Sequence, residues 1–261
     1  DSLGKIAYEK ATIQKPGAPS VIGWQEDAAL KVIEAEAARV GAPLSVFGRD
    51  YGVKAEGEGV HYRSPGLDIV IPKLGLAGAH QYQNIAAALA GVEVLRKAGF
   101  DLPAQALIDG AAAVEWPGRM QRLTRGPVVD LMGPKWEIVL DGGHNQSAGL
   151  MLAKQAEAWA SADGRDLHLV YGMLNSKAIA DFLAPLAPHL ASARGVAIPG
   201  EINSLSAAEA ATAGRSVGIA ADIAEGVVAA AQAVKDAAPR PGRLLIAGSL
   251  YLAGHVLAEH G

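Results

Sequence analysis

Apolar residues recur at helical spacing from Asp27 to Val40 and stop at Gly41-Ala42-Pro43, with short apolar runs at Val21-Ile22 and Leu44-Ser45-Val46-Phe47 on either side. This pattern predicts a strand, a helix and a second strand, a βαβ unit. Two alternating runs at 59–62 and 67–71, parted by Ser64-Pro65-Gly66, predict a hairpin. An alanine-rich helix over about 81–98 and a second helix over about 103–114 follow. After the turn Trp116-Pro117-Gly118, β runs are expected near 120–123 and 128–131, with a domain boundary close by. From Trp136 onward strands at 137–140, 167–171, 195–198 and 244–247 alternate with helices, the first of them over 146–160. Such alternation implies a mostly parallel sheet covered on both faces.

The 261 residues are 50% apolar and 19% charged, with a formal charge of −4 and no cysteine. Those values describe a globular chain without disulfides, thiolate metal sites or a cysteine nucleophile. The acidic balance argues against nucleic acid as a partner, and no apolar run approaches the roughly 20 residues that span a bilayer. The longest such stretch, 219–234, is interrupted by Asp222 and Glu225. A cytoplasmic location and a monomeric state are expected. The chain opens on Asp1-Ser2-Leu3-Gly4-Lys5 without an initiator methionine, and a fragment of a longer protein is therefore expected.

In an open parallel sheet ligands sit beyond the carboxyl ends of the strands. Three stretches fall there: Asp141-Gly142-Gly143-His144-Asn145, Gly172-Met173-Leu174-Asn175-Ser176-Lys177 and Gly248-Ser249-Leu250-Tyr251. Each alone also reads as a strand-to-helix turn with a capping Asp, Asn or Ser; three together point to a site. Gly57-Glu58-Gly59 lacks the third glycine of a dinucleotide fingerprint and lies in a hairpin. Gly4-Lys5 has Ile6 where a P-loop needs Ser or Thr.

Taken in order, these motifs resemble a known family. Leu3-Gly4, Ile6-Ala7-Tyr8-Glu9-Lys10-Ala11 and Lys15-Pro16-Gly17 are similar to the "LG…IA.EKAGI.KPG" segment of the folylpolyglutamate synthase/dihydrofolate synthase branch of the Mur ligases. Gly78-Ala79-His80-Gln81-Tyr82-Gln83-Asn84 resembles its "G.HQ..N", Trp116-Pro117-Gly118-Arg119 its "WPGR", and Leu140-Asp141-Gly142-Gly143-His144-Asn145 its "LDGAHN". Tyr171-Gly172-Met173-Leu174 and Gly248-Ser249-Leu250-Tyr251-Leu252-Ala253-Gly254 complete the set.

The resemblance implies an α/β chain in two parts: the latter part of a Mur-ligase central ATPase domain over 1–124, and a Rossmann-like C-terminal domain over 125–261. It further implies an ATP- and Mg²⁺-dependent amide ligase that adds L-glutamate to dihydropteroate or folate through an acyl phosphate. Such chemistry needs charge neutralisation and alignment more than a covalent nucleophile. The family's P-loop and most of its pterin-binding residues would lie upstream of Asp1. Alternatives are another Mur-type ligase, such as one making peptidoglycan precursors, or a nucleotide-binding module without ligase activity.

Carried over residue by residue, the resemblance assigns Asn84 to adenine, Arg119 to phosphate oxygens, Asp141 to the ribose hydroxyls and His144 to the phosphate side. Lys10 and His144 become the catalytic candidates, Lys10 as a carbamylated lysine that binds metal; the plain alternative is a helix-surface lysine beside Glu9. Lys177, Ser249 and Tyr251 become candidates for the glutamate carboxylates, against the alternative that Ser249 caps the last helix and Tyr251 packs in the core. His80 and Gln81 shape a helix start. Two departures stand out: Asn175-Ser176 replaces the acidic pattern the family has after "GML", and 125–135 extends the connection that follows Arg119, read as a longer hairpin.

Overall fold

A computed structural model describes residues 2–76, 78, 80–174 and 179–260. The chain divides into two compact units, 1–115 and 116–261.

In the first unit, helix α1 (Leu3–Ala11) and helix α2 (Asp27–Val40) pack against each other, and β1 (Ser20–Ile22) and β2 (Leu44–Val46) form a parallel pair. This is the expected βαβ arrangement, with Gly41 ending α2. Three antiparallel strands follow, β3 (Gly52–Glu56), β4 (Gly59–Arg63) and β5 (Asp68–Ile71). The expected hairpin is β4–β5. β3 is an addition, half-buried or exposed throughout, and its one strongly apolar residue gave little alternation to read. Helices α3 (His80–Lys97) and α4 (Ala104–Ala113) cover this sheet, with Ala86, Leu89 and Ala90 packed with Val60, Tyr62 and Ile71 in one core. Small residues on α3 let it approach the sheet closely, which explains its alanine content. Inside that core, burial pushes the Tyr51 hydroxyl up to about 12 and moves Tyr62 in the same direction.

The second unit is built on a six-stranded sheet. Its strands are β6 (Gln121–Leu123), β7 (Glu137–Leu140), β8 (Leu167–Tyr171), β9 (Ser192–Gly195), β10 (Ala221–Ile223) and β11 (Arg243–Ala247), in spatial order β10-β9-β8-β11-β7-β6. All pairings are parallel except β6 with β7. Alternate residues serve opposite cores. Ile138, Leu140, Leu244 and Ile246 enter one with α5 (Pro127–Met132), α9 (Val227–Ala237) and α10 (Leu250–His260). Val139, Leu169 and Leu245 enter the other with α6 (Gln146–Asp163), α7 (Ile179–Leu183) and α8 (Ala207–Ser216). Strands buried on both faces are what a parallel sheet between helices requires.

Two expectations are corrected. The run at 128–131 is not a strand but part of α5, so 125–135 does not lengthen a hairpin. Gly126-Pro127 starts a helix there, because proline at the first helical position gives up only an N–H that would have no partner. The strand expected at 195–198 is β9, three residues earlier; Val196 and Ile198 lie past its end and are buried in the first of the two cores. Val196 N–H still donates to Tyr171 O at 2.9 Å, but the buried residues beyond it continue the apolar pattern past the end of the strand.

Candidate functional site

The chain leaves β7 toward α6 on one face of the sheet and leaves neighbouring β11 toward α10 on the other. Connections that part in this way open a crevice at the carboxyl ends of the two strands. Three of the sequence motifs meet there. The Asp141 carboxylate, 1% exposed, accepts the Met120 N–H through Oδ2 (2.9 Å) and the Gly143 N–H through Oδ1 (2.7 Å). Gly142 N–H donates to Gly118 O at 2.7 Å, and Gly248 N–H donates to Gly143 O at 2.9 Å. Asp141 thereby ties the Trp116–Arg119 turn to the loop after β7, and Gly248 ties the loop after β11 to both.

The backbone at these points is tightly specified. Gly248 has φ +108°, and a β-carbon there would lie 2.8 Å from Gly172 O and 2.9 Å from Met173 Cγ. One at Gly143 would lie 2.7 Å from Ala148 Cβ and 2.8 Å from Asp141 Oδ1. Met120 has a positive φ, +46°, and sequence reading gave no hint of it. Its strain is held by the bond its N–H makes to Asp141.

A cavity of about 330 Å³ lies at this edge, lined by His144, Met173, Leu174, Gly248, Ser249, Leu250 and Tyr251. Exposed His144 keeps Nδ1 3.0 Å from Gly142 O. A carbonyl only accepts, so Nδ1 carries the proton and Nε2 is the acceptor of the neutral ring. Ser249 is 3% exposed, and its Oγ accepts the Tyr251 N–H at 3.0 Å, the geometry of an N-cap on α10. Tyr251 itself is 55% exposed and does not pack in the core. Arg119 is half-buried and makes no hydrogen bond or ion pair among the described residues. Lys177 lies outside the described residues.

In the first unit, Asn84 lines an apolar cavity of about 180 Å³ with Leu74, Leu76, Gln81, Ile85, Ala88, Ala111 and Val114. Its Nδ2 donates to buried Gln81 Oε1 at 2.9 Å, which fixes the amide and leaves its carbonyl oxygen and second N–H available. An apolar cavity lined by two side-chain amides, those of Gln81 and Asn84, can take a heteroaromatic base. Lys10 borders a separate cavity of about 330 Å³ beside β1 and α2; its Nζ lies 3.0 Å from Glu9 Oε1, with the lysine side chain largely exposed. Among the described residues no three His, Asp or Glu side chains gather within reach of one ion. No described helix is long and apolar enough to cross a membrane.

No family model matches the chain. It is 30% identical over 263 residues to the folylpolyglutamate synthase of Lacticaseibacillus casei, a match covering 98% of this chain and 57% of that protein. A probable bifunctional folylpolyglutamate synthase/dihydropteroate synthase of Haloferax volcanii is 32% identical over 206 residues, covering 74% of this chain and 22% of that protein. Among solved structures, the folylpolyglutamate synthase of Mycobacterium tuberculosis complexed with ADP and AMPPCP superposes with a TM-score of 0.81 at 28% identity, over 97% of this chain and 58% of that one. The chain belongs to the folylpolyglutamate synthase/dihydrofolate synthase family. It spans little more than half the length of the Lacticaseibacillus casei relative and of the mycobacterial structure. The mixed α/β architecture with a mostly parallel second sheet agrees with that of the Mur-type ligases.

Proposed function

We propose that residues 1–261 form the nucleotide-base-binding and glutamate-handling portion of an ATP-dependent ligase that joins L-glutamate to dihydropteroate, reduced folate or a folate polyglutamate. The observation that carries this reading is the convergence of the 116–119 turn, the 141–145 loop and the 248–251 loop on one crevice, in a chain of this family. The substrate carboxylate attacks the γ-phosphorus of ATP, breaking its bond to ADP and forming an acyl phosphate. The amine of glutamate then attacks the acyl carbon; inorganic phosphate leaves with the C–O bond's electrons, and the amine gives up a proton.

Individual roles follow from local geometry. Asn84 reads the base edge in its apolar slot, and Arg119 offers its fork of N–H donors to phosphate oxygens. Asp141 has its carboxylate directed at two backbone N–H groups, so its main task is to hold the 141–145 loop, with any ribose contact secondary. His144 stands at the mouth of the crevice with Nε2 as the acceptor, suited to the proton released by the attacking amine. Ser249 serves as the helix cap, so recognition of the glutamate carboxylates falls to the Tyr251 hydroxyl and Lys177.

Mg²⁺, when bound, neutralises phosphate charge. The described residues do not by themselves make its site, and Lys10, as a cation paired with Glu9, does not fit one unless it is carbamylated. NMR in isotope-labelled bicarbonate tests this: a carbamate resonance lost in Lys10→Ala supports the modification, and none in the wild type refutes it. The protein is proposed to work as a cytoplasmic monomer.

The decisive test is phosphate release from ATP in the presence of dihydropteroate and L-glutamate. Residues 1–261 contain no glycine-rich P-loop and are expected to be inactive alone. Co-expression with the part of the Lacticaseibacillus casei enzyme left uncovered by the match is expected to give glutamate-dependent release. There Tyr251→Phe and Lys177→Ala raise the KM for glutamate while leaving that for ATP unchanged. Equal effects on both substrates would refute those two assignments, and glutamate-independent release would favour a nucleotide-binding module.

A further inference from the structure

Arg119 sits between two peptide groups that are both held by hydrogen bonds. Before it, the Gly118 N–H donates to the side-chain Oε1 of Gln121 at 2.8 Å, and Gly118 O accepts the Gly142 N–H at 2.7 Å. After it, the Met120 N–H donates to Asp141 Oδ2 at 2.9 Å. Each peptide unit is planar, so fastening both leaves the two torsions of Arg119 little freedom. The turn has an unusual path. Gly118 adopts φ +70° without cost, whereas Met120 adopts φ +46° at a cost, a conformation that persists only where its surroundings impose it.

Two of these three tethers come from the loop that follows β7, and the third comes from β6. Gln121 is the first residue of that strand, and its antiparallel pairing with β7 places it opposite Leu140, immediately before Asp141. The strand register therefore brings the amide to the turn. β6 lies at the edge of the sheet, where a polar side chain would ordinarily face water. Gln121 is instead half-buried, with its carbonyl oxygen directed at the N–H of buried Gly118. An apolar side chain at 121 would leave that N–H without its partner.

The second observation concerns the residue so held. Arg119 is half-buried, yet among the described residues it has neither a hydrogen bond nor an ion pair. A guanidinium that has lost part of its water and has no carboxylate paired to it gains most when an anion arrives.

We propose that Gln121 is the positioning residue for Arg119: its side-chain carbonyl locks the Gly118 peptide, so that the guanidinium is aimed at the phosphates of the nucleotide before the nucleotide binds. This rests on the reading of Arg119 as a phosphate contact. A turn set in advance spares binding the cost of ordering it, and that saving goes to the phosphates and not to the base. Asp141 also steadies the turn but holds the 141–145 loop as well, whereas the one bond assigned to the Gln121 side chain serves the turn. Substitution at 121 consequently isolates the positioning effect.

The experiment titrates AMPPCP and adenosine, which lacks phosphates, into residues 1–261 as wild type, Arg119→Ala, Gln121→Leu and the double variant. Arg119→Ala is expected to weaken AMPPCP binding about tenfold and Gln121→Leu about fivefold, with adenosine affinity unchanged in both. In the Arg119→Ala background Gln121→Leu is expected to cost nothing further, because a residue that acts through Arg119 has no effect once Arg119 is gone. Amide hydrogen exchange of the wild type carries the test if Gln121→Leu misfolds: Gly118 N–H is expected to be protected in the free chain and to change little when AMPPCP is added. Wild-type AMPPCP affinity in Gln121→Leu beside a weakened Arg119→Ala would overturn the proposal and leave the phosphate reading standing. No AMPPCP binding by the wild type, or wild-type affinity in Arg119→Ala, would overturn both. Additive losses in the double variant, a parallel loss of adenosine affinity in Gln121→Leu, or a Gly118 N–H protected only after AMPPCP binds would each overturn the proposal.

Discussion

Replacing Asp141 by alanine separates a structural from a ligand-binding role more cleanly than any other substitution in the chain. Its carboxylate accepts two buried backbone N–H groups, those of Met120 at 2.9 Å and Gly143 at 2.7 Å, and is 1% exposed. Alanine leaves both donors without partners, at about 1–3 kcal/mol each. It also releases Met120 from the positive φ of +46° that its N–H bond to Asp141 holds. The expected loss is about 3–5 kcal/mol, which for a unit of this size lowers Tm by roughly 8–15 °C. Asp141→Asn keeps one acceptor but opposes an amide N–H to the other donor, and an intermediate loss of about 2 kcal/mol follows. Calorimetry of the three chains without ligand is the assay. A Tm shift below about 2 °C for Asp141→Ala, coupled to loss of nucleotide affinity, would refute the reasoning and return Asp141 to the ribose.

Burial against Trp136 and near Arg194 lowers the pKa of His168, with Asp166 acting in the opposite sense. The unfolded chain therefore takes up a proton that the folded one refuses, so stability is full above about pH 6.5 and falls as pH drops toward 5. His168→Gln is expected to flatten that slope in urea titrations at several pH values; an unchanged slope would contradict it. Gly248→Ala places a β-carbon 2.8 Å from Gly172 O at φ +108° and should cost at least about 2 kcal/mol in the same titrations. Asn84→Leu removes the bond to buried Gln81 Oε1 and should cost about 1 kcal/mol of stability, while weakening AMPPCP binding about tenfold by calorimetric titration, about 1.4 kcal/mol. Equal affinity would remove Asn84 from the base site.

The parts of the fold that the sequence made legible are those where local and global signals agree. Helix α2 ends where Gly41-Ala42-Pro43 says it must, and β7, β8 and β11 are apolar on both faces because both are covered. Reading failed where tertiary context decides. The run at 128–131 has strand-like residues but takes its conformation from Gly126-Pro127, and Val196 and Ile198 are buried past the end of β9. At the site, position could be read but duty could not. Asp141, Ser249 and Tyr251 fall at the strand ends as expected, yet the direction of a carboxylate or hydroxyl toward a neighbouring N–H depends on the path of the loop. The buried, unpaired side-chain amide of Gln14 left no trace in the pattern, since a lone glutamine after a helix carries no periodic signal.

The most direct test of the account is phosphate release from ATP and dihydropteroate, followed as L-glutamate is titrated into the complex of residues 1–261 with the complementary part of the Lacticaseibacillus casei enzyme. The account predicts saturable dependence on glutamate, one phosphate per new amide bond, and none of it from residues 1–261 alone. Phosphate release indifferent to glutamate, or no amide product from that complex, would contradict the ligase reading.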